Sequence, residues 1–175
     1  MRALKPSEIE VRVGGIKTNP DGSVRGLRLL LFKEARSDMG VLDEEFGPMG
    51  WKREHTMIGG YLTCTVSVYD KDKKEWVSKQ DVGSSDNRTE NEKTAFSDSF
   101  KRACVSWGIG RELYTAPTIW VRPEDFNAIA RAGKVDCFDI FKVSKIEYSD
   151  GRIVGLEIVN MTKDGKEVFS WKESK

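Results

Sequence analysis

Tyr61-Leu62-Thr63-Cys64-Thr65-Val66-Ser67-Val68-Tyr69 alternates with a period of two. Leu62, Cys64, Val66 and Val68 fall on one side, and Thr63, Thr65 and Ser67 on the other, which predicts a strand. One face is then buried and the other wetter, meeting either water or a partner. Working outward, the charged turn Asp70–Lys74 leads to a return strand over Trp76–Val82, and Trp51–Met57 supplies a third strand upstream. Three short strands joined by turns read as a meander.

A helix is expected on either side of the meander. Upstream, Ser37 can cap a short helix, with Asp38 in the first turn where a carboxylate suits the dipole. Met39, Leu42 and Phe46 recur at i, i+3 and i+7, and Gly47-Pro48 ends the run. Downstream, Thr89 and Glu92 form an S/T-x-x-E capping box. Phe96, Phe100, Ala103 and Trp107 follow at i, i+4, i+7 and i+11, the spacing of a buried stripe, and Gly108 closes the helix. Lys101 and Ser97 lie on the flank of that stripe. Arg102 points away and can pair with Asp98 one turn earlier. Lys93 sits over the stripe at the helix start, where a cation opposes the dipole and calls for an anionic partner.

Beyond Pro117, Thr118–Val121 makes a short strand, and Pro123 is placed to open a helix through Arg131 that Gly133 closes. Strands over Phe138–Tyr148, Arg152–Met161 and Glu167–Trp171 follow, separated by Asp-Gly turns. Before residue 25, Gly14-Gly15 and Asn19-Pro20-Asp21-Gly22 mark a loose arm or short strands. The fold class is α+β: a three-strand antiparallel β-meander packed on a long helix, with a C-terminal β-hairpin layer. One domain spans 1–175, with an arm over 1–24, a core over 25–121 and a helix-plus-hairpin extension over 122–175.

Composition narrows the function. Cys64, Cys104 and Cys137 are odd in number and form no C-x-x-C pair, which speaks against a disulfide scaffold and a zinc site. His55 is the single histidine and stands among charges, so it reads as a solvated or capping residue. Gly14-Gly15-Ile16-Lys17-Thr18 lacks the spacing of a phosphate loop, and Gly108-Ile109-Gly110 follows a helix where a dinucleotide turn would follow a strand. No cofactor, metal or catalytic role is expected. The rival reading, an enzyme built on Asp43, Glu44 and Glu45, would put all three carboxylates on one short exposed helix. The longest apolar run, Leu29 to Phe32, is too short to span a bilayer, so a cytoplasmic protein is expected. Twenty-nine Lys and Arg against 28 Asp and Glu give a net charge of +1. That balance is uneven, at +4 over 1–36, −5 over 37–92, +3 over 93–122 and −1 over 123–175.

Two stretches, taken in order across the meander, carry a resemblance. Ala35-Arg36-Ser37-Asp38-Met39 runs on through Leu42-Asp43-Glu44-Glu45-Phe46-Gly47-Pro48-Met49-Gly50-Trp51. Glu92-Lys93-Thr94-Ala95-Phe96-Ser97-Asp98-Ser99-Phe100-Lys101-Arg102-Ala103 runs on through Trp107-Gly108-Ile109-Gly110-Arg111-Glu112-Leu113-Tyr114. Over roughly residues 30–117 the chain resembles the single-strand annealing domain of the Rad52 family, most nearly its bacteriophage, Sak-type, members. The resemblance implies an ATP-independent protein that binds and anneals single-stranded DNA in recombination and repair. It also implies a homo-oligomeric ring or helical filament, working in the cytoplasm of a bacterial host. A single-stranded DNA-binding protein or a phage exonuclease is a candidate partner. A strand-coating protein without annealing activity is the alternative.

By position, Arg36, Lys101 and Arg102 would contact phosphates, with Lys93 and Ser97 lining the same groove; Lys52 and Arg53 are further basic candidates. One departure is Val105, where the eukaryotic member has another basic residue one turn after Lys101; Arg111 is the candidate to stand in for it. Trp51 and Tyr114 fit either packing or contact with the strand. Phosphate neutralisation needs clustered cations, not a high total charge, and the +4 and +3 segments hold them. The acidic stretch over 37–92 is left to line subunit contacts.

Overall fold

The computed structural model describes residues 1–83, 92–131 and 133–174, and of Glu92 and Lys93 the backbone alone. In chain order the elements are β1 (Ile9–Thr18), β2 (Val24–Lys33), α1 (Ala35–Phe46), β3 (Trp51–Ile58), β4 (Tyr61–Asp70) and β5 (Glu75–Val82). Next come α2 (Glu92–Ser106), β6 (Ile119–Val121), β7 (Ile129–Arg131), β8 (Lys134–Asp136), β9 (Phe141–Ser149), β10 (Arg152–Asn160) and β11 (Lys166–Lys172). The chain is α+β, with antiparallel pairing and two α-helices among the described residues. It divides into two compact units, Met1–Leu4 with Lys33–Arg111 and Lys5–Phe32 with Glu112–Lys175.

The first unit is organised by β4, the central strand of three. It pairs with β3 from Trp51 opposite Val68 to Ile58 opposite Tyr61, and with β5 from Thr63 opposite Val82 to Asp70 opposite Glu75. Gly59 and Gly60 make the β3–β4 turn at φ +59° and +84°, a pair of left-handed conformations that glycine adopts without strain. This register puts Cys64, Val66 and Val68 on one face, all buried. Helix α2 lies against β4 and β5 and buries Phe100, Ala103 and Cys104 completely, with Val41 and Leu42 of α1 equally buried.

On the opposite face the hydroxyls satisfy one another. Thr56 Oγ1 lies 2.9 Å from Thr63 Oγ1, Ser67 Oγ lies 2.8 Å from Ser78 Oγ, and Gln80 Nε2 donates to Thr65 Oγ1 at 2.8 Å. Thr63 and Ser67 are therefore buried without an orphaned polar atom.

The second unit holds sheets in the order β1-β2-β6 and β11-β10-β9 and the hairpin β7-β8. Its core is Leu27, Leu29, Ile119, Val121, Ile153, Leu156 and Ile158. Fully buried Asn160 ties loops together: its Nδ2 donates to Asp125 O at 3.0 Å and Asp139 Oδ2 at 2.7 Å, while its Oδ1 accepts from Thr162 N.

Three expectations are corrected. Residues 123–131 do not form a helix: a 3-10 turn over Pro123–Asp125 gives way to extended Phe126 and then to β7. Asp139 accepts the backbone N–H of Asn127 at 2.9 Å, a donor that a continuing helix would have turned inward. Helix α1 starts at Ala35 with Glu34 as N-cap and no side-chain cap, so Ser37 lies inside the first turn. The earlier start turns Asp38 into the interior, and Glu34 O accepts from both Ser37 N and Asp38 N. Of the two alternatives for the stretch before residue 25, strands are what form: Ile9–Thr18 is a ten-residue strand. Phe96 is not core: it is 45% exposed, since its end of α2 meets the His55 ring, 4.7 Å away, in place of an aliphatic neighbour. The Gly83–Arg88 loop beyond Gly83 and the cap residue Thr89 lie outside the described residues.

The junction of α1 with β3 has no spare room. A Cβ on Gly50 would stand 2.1 Å from Phe46 O, a backbone atom, so α1 could keep its place only by moving β3. Gly50→Ala is expected to cost about 1–3 kcal/mol, read as a lowered urea midpoint at unchanged m-value. An unshifted midpoint would show that this junction yields freely.

Candidate nucleic-acid interface

The basic residues singled out in the sequence all belong to the first unit. At its centre is a buried ion pair between Lys33 at the end of β2 and Asp38 in the first turn of α1, 7% and 0% exposed. Lys33 Nζ donates to Asp38 Oδ1 and also, at 3.2 Å, to the backbone carbonyl of Lys101 on α2. Asp38 Oδ2 is buried with no hydrogen-bond partner. Burial pushes the Asp38 carboxyl up to about 6, against the opposing pull of Lys33 and Lys101. A Cβ on Gly110 would stand 2.5 Å from Lys33 Cδ, so glycine at that position leaves the Lys33 stem its room.

Arg53 reaches the same helix from β3. Its guanidinium sits 4.6 Å from the centroid of the Phe100 ring, beside Trp51, which stacks on Phe100 at 6.1 Å and 22°. Trp51 is thus packed, and its indole N–H donates to Asp43 at 2.7 Å. Lys52, one residue earlier, projects from the opposite face of the sheet, because side chains alternate along a strand. Its ammonium lies 4.5 Å from the Trp76 ring, against which Tyr69 packs edge-on. The two adjacent cations therefore do not share a groove.

On α2, Lys101 and Ser97 are half-buried on neighbouring turns. Arg102 is exposed, with Nε 3.5 Å from Asp81 on β5, a solvated pair worth little. Arg36 is exposed at the start of α1. The Lys93 side chain lies outside the described residues. Arg111 is exposed and donates from Nε and Nη2 to Val105 O at 3.2 and 3.0 Å, and from Nη2 to Ser106 O at 3.0 Å. Its charge thus rests at the backbone of Val105, the position where the resemblance expects a basic side chain. Lys79 joins it, donating to Ser106 O at 2.9 Å with its ammonium 4.5 Å from the Trp107 ring. Both cations meet the negative end of the helix dipole.

Sequence reasoning missed Lys79. The available signal was its phase, since Lys79 pairs with Val66 on the inward face of β5, where an apolar residue is expected.

The remaining reactive groups are separately engaged. Asp43 takes the Trp51 indole, Glu44 takes the Arg2 guanidinium at 3.1 Å, and Glu45 accepts from the Arg2 backbone N–H at 3.1 Å. Among the described residues no group of His, Cys, Asp and Glu could hold a metal ion, and no helix is long and apolar enough to cross a membrane. Burial pushes the Cys64 thiol up to about 11 and Cys104 further, so both stay neutral. His55 Nε2 lies 3.1 Å from Phe96 O, tying β3 to α2.

Residues 1–128 match the family described as Rad52/22 family double-strand break repair protein. No curated protein and no solved structure matches the chain.

If Lys79 and Arg111 finish α2, removing both leaves its last carbonyls without charged donors. Lys79→Ala with Arg111→Ala is expected to lower stability by about 1–2 kcal/mol in urea unfolding, with faster amide exchange over residues 103–109. Unchanged exchange there would mean that water serves those carbonyls equally well.

Proposed function

Since the chain belongs to the Rad52/22 family of double-strand break repair proteins, we propose that it binds single-stranded DNA and anneals complementary strands without ATP. Membership places it in DNA recombination and repair. The observation that carries the reading is the extent of the match, which takes in every described residue of the first unit and with them the basic positions.

Arg36, Lys101 and Arg102 are assigned to the phosphates, with Arg53 alongside and Ser97 and Lys93 lining the same path. Arg111 adds charge at the end of α2, and Lys52 contributes a separate contact on the other face of the sheet. The β-β-β-α arrangement of β3, β4, β5 and α2 is the annealing core in this reading.

The chemistry asked of such a site is modest. Pairing of complementary strands is downhill, so no nucleotide hydrolysis is needed. What slows it is phosphate repulsion and the low concentration of each strand near the other. Cations that hold the backbone offset the first. Many subunits in a ring or filament offset the second, with the acidic stretch over 37–92 at subunit contacts. Holding the backbone without reading base edges leaves the bases free to test a second strand. The setting proposed is a bacteriophage or prophage, with a single-stranded DNA-binding protein or a phage exonuclease as working partner.

Replacing Lys101 and Arg102 together by alanine is expected to weaken binding of a labelled single strand by about tenfold or more. The slope of log affinity against log salt should become shallower by about 1.4, two cations' worth on a single strand. The same variant should anneal complementary oligonucleotides more slowly while unfolding at the wild-type urea midpoint. Normal binding by the double variant would move the groove elsewhere. Tight binding by the wild type without faster annealing would make the protein a strand-coating one.

A further inference from the structure

Asp38 is a carboxylate inside a cluster of cations. Lys33 Nζ, at the end of β2, donates both to it and to the backbone carbonyl of Lys101 on α2, and the charge of Lys101 opposes the effect of burial on the carboxyl. Arg53 of β3 lies over Phe100 of the same helix, whose Cys104 is buried, as is Cys64 of β4. Arg36 precedes Asp38 by two residues on its own helix. Both thiols stay neutral, so the charges named here are four cations and one acid.

That acid is built to change its state. Asp38 is fully buried on the first turn of a helix, so it cannot swing into water. Oδ1 accepts from Lys33, while Oδ2 is buried and bonded to nothing. An ionised carboxylate with one oxygen unsatisfied is costly, and a buried ion pair is not a reliable source of stability. A proton placed on Oδ2 removes that cost and leaves the Lys33 hydrogen bond on Oδ1 intact. Lys33 Nζ has a second acceptor, the backbone carbonyl of Lys101 at 3.2 Å, that does not depend on the charge of Asp38.

We propose that Asp38 is a built-in counter-anion of the phosphate site, offsetting Lys33 and Lys101 in the free protein and taking up one proton from solvent when a DNA phosphate docks beside Lys101. The proposal rests on the single-strand reading of Lys101 given above. Linkage fixes its sign. An approaching phosphate disfavours the ionised carboxyl, so Asp38 binds its proton more tightly in the complex than in the free protein. By reciprocity the protonated protein binds the strand more tightly. The free carboxyl ionises near pH 6, so affinity should fall as pH rises above about 6 and lose this dependence below it.

The test is fluorescence polarisation of a labelled oligothymidylate between pH 5.5 and 8 at fixed ionic strength. The wild type is expected to bind about threefold to tenfold more tightly at pH 6 than at pH 8. Asp38→Asn keeps an acceptor for Lys33 and removes the charge. It should bind at pH 8 about as tightly as the wild type does at pH 6, with a flattened profile. Every other ionisable group is common to both proteins, so the difference between the two profiles isolates Asp38.

A carbon-13 titration of the Asp38 carboxyl in the wild-type chain, with and without the oligothymidylate, needs no variant and decides the matter if Asp38→Asn fails to fold. The midpoint should move upward in the complex. Parallel profiles for the two proteins, or an unmoved carboxyl midpoint, would overturn the proposal. If Lys101→Ala with Arg102→Ala weakens binding while Asp38 shows no linkage, the single-strand site stands and the counter-anion does not. Normal binding by that double variant removes the site itself.

Discussion

The apolar stripe of α2 against β4 is the contact on which the rest of the first unit depends. A meander with one apolar face is stable only when that face is packed against another element. Phe100, Ala103 and Cys104 supply the cover, and Cys64, Val66 and Val68 are what they cover. Once that seam is closed, the cations follow from it. Arg53 is held over Phe100, Lys79 over Trp107, and Arg102 near Asp81 because those neighbours are fixed by the core. The candidate site is therefore the rim of a packed interior, and its precision is inherited from burial.

How the cations are held matters as much as where. Lys52, Arg53 and Lys79 rest on aromatic faces, and Lys79 and Arg111 on the carbonyls ending α2. A ring or a carbonyl orients a cation without cancelling its charge, whereas a carboxylate cancels it. In the second unit Lys145, Arg152, Lys166 and Lys172 are in ion pairs instead. The net charge of +1 does not register how individual cations are held. The total said little because charge acts over a Debye length, not over a whole chain.

Legibility in the sequence tracked periodicity. The strands of the meander, their glycine and Asp-containing turns, and the α2 stripe from Phe100 onward all announce themselves by spacing. What failed depended on competition between alternatives that spacing cannot weigh. Pro123 permits a helix, but Asp139 claims the Asn127 N–H first. Ser37 is a good cap, but burying Asp38 requires the helix to start earlier. Phe96 has the right phase, yet its end of the helix lies over His55. Of the site, the basic positions on α1 and α2 were visible through the resemblance. Lys79 was hidden because an inward lysine looks like a break in the pattern until Trp107 and the helix end are in place beside it.

Asp38 shows most sharply why a position can be legible and its role not. Read as a helix-start carboxylate, it is a surface residue that favours a dipole at modest gain. The same residue, fully buried, faces Lys33 on one oxygen and nothing on the other, and lies close enough to Lys101 to feel its charge. No residue spacing encodes that difference, because Lys101 is brought to Lys33 and Asp38 only by the packing of α2 against α1. Burial converts a weak local preference into a group whose ionisation depends on what docks nearby. The core that orients the cations thereby also sets how much of their charge a phosphate would meet.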